Sequence, residues 1–163
     1  MTQQRWLGID PGLAIIGWAI LEGVELGNVS LLDYGTIETD RTLPTPARLV
    51  EIERDMQALL QEFQPEQVVI EMPFFNRQIK AAGGVMQALG VITLVIYREQ
   101  HCLPIFLHQS SWKCHLGRGN ATKDEVAEVL QQIFSLENLP IDDSVDAIGI
   151  ALAGLNGVRN EIK

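Results

Sequence analysis

Trp6-Leu7-Gly8-Ile9-Asp10-Pro11-Gly12 is a short apolar run that stops on a carboxylate and turns at once. It is too short for a helix and is closed by turn residues, so Trp6 to Asp10 reads as a strand. Beyond Pro11-Gly12 a second apolar run, Ala14 to Leu21, can return beside the first as a hairpin. Val29 to Thr39 is rich in strand formers and reads as a third strand. Pro44 and Pro46 mark a boundary. Leu49, Ile52, Met56, Leu59, Leu60 and Phe63 then recur at helical spacing, predicting a helix over Ala47 to Phe63. Gln67 to Glu71 is a buried strand that again ends in an acid. Gln78 to Gln100 reads as a long helix and Pro104 to Leu107 as a fifth strand. Thr122-Lys123-Asp124-Glu125 fits a capping box that starts a helix running to about Phe134. Asp142 or Asp143 opens a last helix reaching about Asn156. Three strands followed by alternating helices and strands imply an α/β fold: a five-stranded mixed sheet with helices on both faces.

The 163 residues suit a single domain spanning 1–163, and 47 % hydrophobic with 20 % charged residues is ordinary globular usage, which disfavours intrinsic disorder. Net charge is −9, which disfavours a protein that coats nucleic acid by bulk charge. The charge is unevenly spread. Met72 to Lys123 holds six bases (Arg77, Lys80, Arg98, Lys113, Arg118, Lys123) and one acid, Glu99, and so is +5, while the remainder is −14. That asymmetry predicts one face prepared for an anion. Cys102 and Cys114 are too few for a disulfide framework and too poorly spaced for zinc, so they read as reduced thiols of a cytosolic protein. No signal peptide is read at the N-terminus. The apolar run Val85 to Tyr97 is shorter than the ~20 residues a membrane span needs, so it reads as a buried or interface helix, and no membrane partner is expected.

The chemistry lies in acids at element ends. Asp10 ends the first strand and Glu71 the fourth. Asp143 and Asp146, three residues apart at the start of the last helix, face the same way. Ala147, Gly149, Ala151, Ala153 and Gly154 follow them, a surface small enough to lie close to a sheet and bring the first turn up to Asp10 and Glu71. Each acid has a plainer reading: Asp10 as a turn residue, Asp143 as a helix cap, Glu71 as a solvated strand end. Taken together they read as an acidic metal site, because clustered carboxylates repel unless cations neutralise them. Oxygen-only donors select hard ions such as Mg²⁺ or Mn²⁺. A pair of such ions is suited to in-line displacement at a phosphodiester.

Gly8-Ile9-Asp10-Pro11-Gly12 with Gly17-Trp18-Ala19, then Val69-Ile70-Glu71, then Asp143-Ser144-Val145-Asp146-Ala147, resemble in order and spacing the three acidic motifs of the RuvC-type Holliday-junction resolvases. The resemblance runs from about Trp6 to Asn156. It implies a ribonuclease-H-like fold, a homodimer, and a Mg²⁺-dependent crossover junction endodeoxyribonuclease that nicks four-way DNA junctions symmetrically. Asp10, Glu71, Asp143 and Asp146 match the metal-binding carboxylates, with two Mg²⁺ per site and Mn²⁺ as a substitute. Phe74 matches an aromatic that stacks on bases near the junction centre. Lys113 and Lys123 match basic residues that approach the scissile strand. The helix over Gln78 to Gln100 corresponds to the dimer-forming helix. A cytoplasmic, nucleoid-associated location and a branch-migration motor as partner follow from the family alone.

Arg77, Lys80 and Arg118 join Lys113 and Lys123 as expected DNA contacts, the last three flanking Gly117-Arg118-Gly119-Asn120, where backbone can approach phosphate. Trp112 reads equally as a packing or a stacking residue. The chain departs from the familiar pattern in its acidity, in Pro73 before the aromatic, and in a Lys113–Lys123 interval one residue shorter than expected. Two alternatives stand beside the junction resolvase: a related nuclease for other branched DNA or RNA·DNA hybrids, and a junction-binding module with little cleavage.

Overall fold

The computed structural model describes residues 3–25, 27–73, 79–139 and 142–159, with the side chains of residues 25 and 79–81 outside the description. Strands β1 (Gln4–Asp10), β2 (Ile15–Glu25) and β3 (Asn28–Glu38) form an antiparallel meander. Helix α1 (Thr45–Phe63) crosses to β4 (Gln67–Glu71), which pairs parallel with β1. Helix α2 (Ile79–Gln100) leads to β5 (Ile105–Leu107), parallel to β4. The sheet order is β3-β2-β1-β4-β5, the five-stranded mixed sheet expected. Helices α3 (Gln109–His115), α4 (Lys123–Phe134) and α5 (Asp143–Leu155) complete the described chain.

Alternation along the strands divides the core in two. Leu7 and Ile9 of β1, Ile16 and Ile20 of β2, and Val68 and Ile70 of β4 point to α1 and α2, packing on Ile52, Met56, Leu60, Ile92 and Ile96. Trp6, Ala19, Leu21 and Val69 point the other way, to α3, α4 and α5. The same parity sends Asp10 and Glu71, the last residues of adjacent strands, to the α5 face.

Helix α5 lies unusually near the sheet because glycine meets it there. A Cβ on Gly8 would stand 2.1 Å from the Ala147 carbonyl oxygen, and one on Gly17 would stand 2.0 Å from that of Asp143. On the helix side, a Cβ on Gly154 would meet Val69 at 2.3 Å. The small residues of α5 thus have counterparts in the strands.

The start of α1 shows why the prolines mark a boundary: Pro44 is its N-cap, and Pro46 sits in the first turn, where a missing N–H costs nothing. The capping box at Thr122 is present, with Glu125 N–H donating to Thr122 Oγ1 and Thr122 N–H to a Glu125 carboxylate oxygen. Helix α3 was not expected. Its seven residues, Gln-Ser-Ser-Trp-Lys-Cys-His, bury only Trp112 and Lys113 and show no apolar period.

Candidate active site

Four carboxylates from three elements meet on the α5 face. Asp10 and Glu71 come from neighbouring strand ends, and Asp143 and Asp146 from the first turn of α5. The choice between Asp142 and Asp143 as helix cap is settled by hydrogen bonds. The Asp142 carboxylate accepts from Ser144 N–H at 2.8 Å and from the Ser144 hydroxyl, which leaves Asp143 to face the site. Asp143 accepts from Lys123 Nζ at 2.7 Å, and the same ammonium lies 3.7 Å from Asp146 Oδ2. Glu71 Oε2 accepts the indole N–H of Trp112 at 2.6 Å.

The electrostatics record how crowded the negative charge is. Burial, then the charges of Glu71, Asp146 and Asp143, push Asp10 up to about 8, against the pull of Lys123. Burial raises Glu71 as well. The Trp112 indole opposes the shift, Asp146 adds to it, and Lys113 and Lys123 oppose it. Asp146 is raised by burial, with Lys123 and Lys113 acting against the shift. Burial works against the Lys123 ammonium, but its bond to Asp143 and the charges of Asp146, Asp143 and Asp10 outweigh it, so its pKa is raised.

These residues fit a cation. Asp146 Oδ1 is buried without a hydrogen-bond partner among the described residues, an acceptor that asks for positive charge or water. The donors around it are all hard oxygens. Among the described residues, however, no group of three His, Cys, Asp or Glu side chains is set to hold an ion as it stands. The acids are within electrostatic reach of one another, and Lys123 occupies the space between Asp143 and Asp146. Ligation therefore requires side-chain rotation and release of that ammonium.

A family model described as "Crossover junction endodeoxyribonuclease RuvC" matches residues 6–154. The chain belongs to the RuvC family. A RuvC from Synechocystis sp. is 71 % identical over 98 % of this chain and 95 % of its own length. The T. thermophilus RuvC structure in complex with a Holliday junction substrate superposes with a TM-score of 0.83 at 29 % identity, covering 91 % of each chain. The yeast mitochondrial Holliday junction resolvase, with a TM-score of 0.68 and 15 % identity over 95 % of this chain and 79 % of that one, shares the fold. The fold is accordingly ribonuclease-H-like, as the three acidic motifs implied.

The basic residues are less free than a RuvC reading of the sequence suggests. Lys113 is buried, donates to the Ala121 carbonyl at 3.0 Å, and lies 5.3 Å from the centroid of the Trp112 ring. Arg118 pairs with Glu125 at the surface. Arg98 pairs with Glu53 of α1 at 2.6 Å, on the opposite side of the sheet from the acids. The +5 segment is therefore not one open anion-binding face. Its described bases are partnered, and only Lys113, Arg118 and Lys123 lie on the α5 side. Phe74 and Arg77 lie outside the described residues, as does the side chain of Lys80.

Two features escaped sequence reasoning. Trp112 neither packs only nor stacks only: it is fully buried and hydrogen-bonded to a candidate ligand. Gly17 was legible as part of a motif but not as the residue that admits α5.

Proposed function

We propose that this chain resolves four-way DNA junctions by two symmetric nicks, each made by Mg²⁺-assisted phosphodiester hydrolysis at Asp10, Glu71, Asp143 and Asp146. The observation that carries the reading is the convergence of these four acids, one of which, Asp146, keeps a buried Oδ1 with no partner among the described residues. Membership of the RuvC family supports it, as does the likeness to a RuvC bound to a Holliday junction.

When bound, a pair of divalent ions, Mg²⁺ or Mn²⁺, would supply a hydroxide and neutralise the leaving 3′-oxygen. The protein's own residues do the rest. The strand ends hold Asp10 and Glu71 side by side, and the close approach of α5 delivers Asp143 and Asp146. Asp10 keeps a proton near neutrality in the ion-free protein and must give it up for ligation. Lys123, once displaced from Asp143, and Lys113, once released from the Ala121 carbonyl, would meet the scissile phosphate. Arg118 and the backbone around Gly117, with φ of 140°, border the path of the DNA strand. Phe74, Arg77 and Lys80 complete the proposed DNA contacts, with Phe74 as the base-stacking aromatic.

Two nicks of like polarity need two sites, which a two-fold homodimer provides. Exposed Met86, Leu94 and Tyr97 on α2, with Val50 on α1, support that dimer through this helical face. The substrate implies a cytoplasmic, nucleoid-associated location and a branch-migration motor as functional partner. No described helix is long and apolar enough to cross a membrane.

The deciding experiment is cleavage of a synthetic mobile four-way junction with Mg²⁺, mapping both nicks. Paired nicks at symmetric positions are expected. Equal cutting of flaps or RNA·DNA hybrids would favour a broader nuclease, and retardation on a gel without any nick would favour a junction-binding module.

A further inference from the structure

Trp112 is buried out of contact with solvent, yet it carries a polar N–H that must find an acceptor there. It finds the carboxylate of Glu71, 41 positions away in sequence, at 2.6 Å. The ring cannot drift from that bond. Its far edge rests on Gly149 of α5, where an added Cβ would stand 2.8 Å from Cζ3, and Leu116 closes on the same spot at 2.9 Å. The indole is thus wedged between α5, which bears Asp143 and Asp146, and the end of β4, which bears Glu71. An indole N–H can only donate. One acceptor site of Glu71 Oε2 is therefore taken and the carboxylate is restrained, which favours Oε1 as the oxygen offered to a cation. Lys113, the next residue on α3, brings its ammonium over the same ring, so the helix supplies a donor and a nearby positive charge together.

We propose that Trp112 is a positioning residue of the metal site, holding Glu71 in the orientation that receives a divalent cation and sensing the occupancy of that site through its indole. The inference rests on the reading of the four carboxylates as a Mg²⁺ site. A donor of this kind orients its ligand without touching the ion, and its loss weakens metal affinity about 10–100-fold. The maximal rate is restored once the ion is forced on. A merely structural tryptophan would instead lower stability or maximal rate and leave the metal dependence alone.

The test uses the full-length protein in two backgrounds. In the first, Trp112→Phe keeps the ring and removes the N–H, and junction nicking is followed against Mg²⁺ at constant ionic strength. The half-saturating Mg²⁺ should rise about 10–100-fold, with the rate at saturation within a few-fold of the parent. In the second, Trp6→Phe with Trp18→Phe leaves Trp112 as the sole tryptophan. Its emission should change saturably as Mg²⁺ is added without DNA, and the change should vanish on further substitution Asp10→Asn. A folded Trp112→Phe protein with unchanged half-saturating Mg²⁺ would overturn the inference. So would a silent Trp112 signal over the Mg²⁺ range that supports nicking, and this second readout decides the matter alone if Trp112→Phe does not fold. Loss of all Mg²⁺ dependence in the parent would remove the metal reading itself. Normal dependence that is indifferent to Trp112→Phe removes only this one.

Discussion

Gly17→Ala should cripple cleavage while sparing DNA binding. Gly17 pairs with Asp10 across the β1–β2 ladder and looks up at the first turn of α5. A methyl there would stand 2.0 Å from the Asp143 carbonyl oxygen, 2.4 Å from its carbon and 3.0 Å from the Ser144 nitrogen. Real Cβ contacts of this kind do not fall below 3.0 Å, so the first turn must retreat by about 1 Å. Those atoms are backbone and have no rotamer to change. The helix cannot simply lift, because its middle and far end are held where Ala147 meets Gly8 and Gly154 meets Val69. It must pivot at its N-terminus, carrying Asp143 and Asp146 away from Asp10 and Glu71.

A misplacement of about 1 Å costs about 10²-fold in rate, and overpacking costs about 1–3 kcal/mol of stability. Single-turnover nicking of a four-way junction at saturating protein and Mg²⁺ measures the first, urea unfolding the second, and gel retardation the binding. Parental nicking by a Gly17→Ala protein would refute the geometry. So would an equal loss of binding and nicking, since the pivot moves the acids and leaves the basic loop in place.

Asp10→Asn should retain junction binding and lose cleavage, as read by retardation and nicking on the same junction; cleavage at the parental rate would remove Asp10 from the metal site. Without divalent ions, folding should weaken as pH rises from about 4 to about 8. The folded state holds the Asp10 proton more tightly than the unfolded chain does, so its contribution is complete below the ordinary carboxylate range and lost by about 8. The slope is about 1.4 kcal/mol per pH unit for that one proton, and raised Glu71 and Asp146 act in the same sense. Urea melts at pH 5 and 8 in chelator check this, with Asp10→Asn expected to flatten the dependence. Lys123→Met removes the ammonium between Asp143 and Asp146, so the rise in Tm on adding Mg²⁺ should exceed that of the parent; an unchanged rise would mean that Lys123 does not stand in for the cation.

What the sequence made legible was local. Short apolar runs ending at Asp10 and Glu71 have strand length and closing turns, and each strand's parity then fixes the face its acid takes. The Thr122 capping box is a four-residue pattern and was found where it was expected. The small residues of α5 announced a helix lying close to something. What they lay close to was a tertiary fact: Gly8 and Gly17 answer them from two strands, and no periodicity connects glycines that far apart. Helix α3 stayed hidden because about two turns with a single large apolar residue have no period to detect. Trp112 stayed ambiguous for a related reason. A buried aromatic and an aromatic bonded to an acid look alike until the acid's strand is set beside it.

The charge pattern shows where one-dimensional counting misleads. The +5 segment suggested a cationic face, yet its four described side chains are distributed across both sides of the sheet and bonded within the protein. Arg98 serves Glu53, Arg118 serves Glu125, Lys113 serves the Ala121 carbonyl, and Lys123 serves Asp143. The two lysines nearest the acids are partly or fully sheltered, where a charge interacts far more strongly than at the surface. Their first effect is on the carboxylates: both oppose the upward shift of Glu71 and Asp146. Lys113 and Lys123 therefore ease the repulsion within a dense acidic cluster. On the proposed reading, an acidic body with such a site would bind a polyanion through local contacts and divalent ions, which would reconcile a net charge of −9 with a nuclease fold.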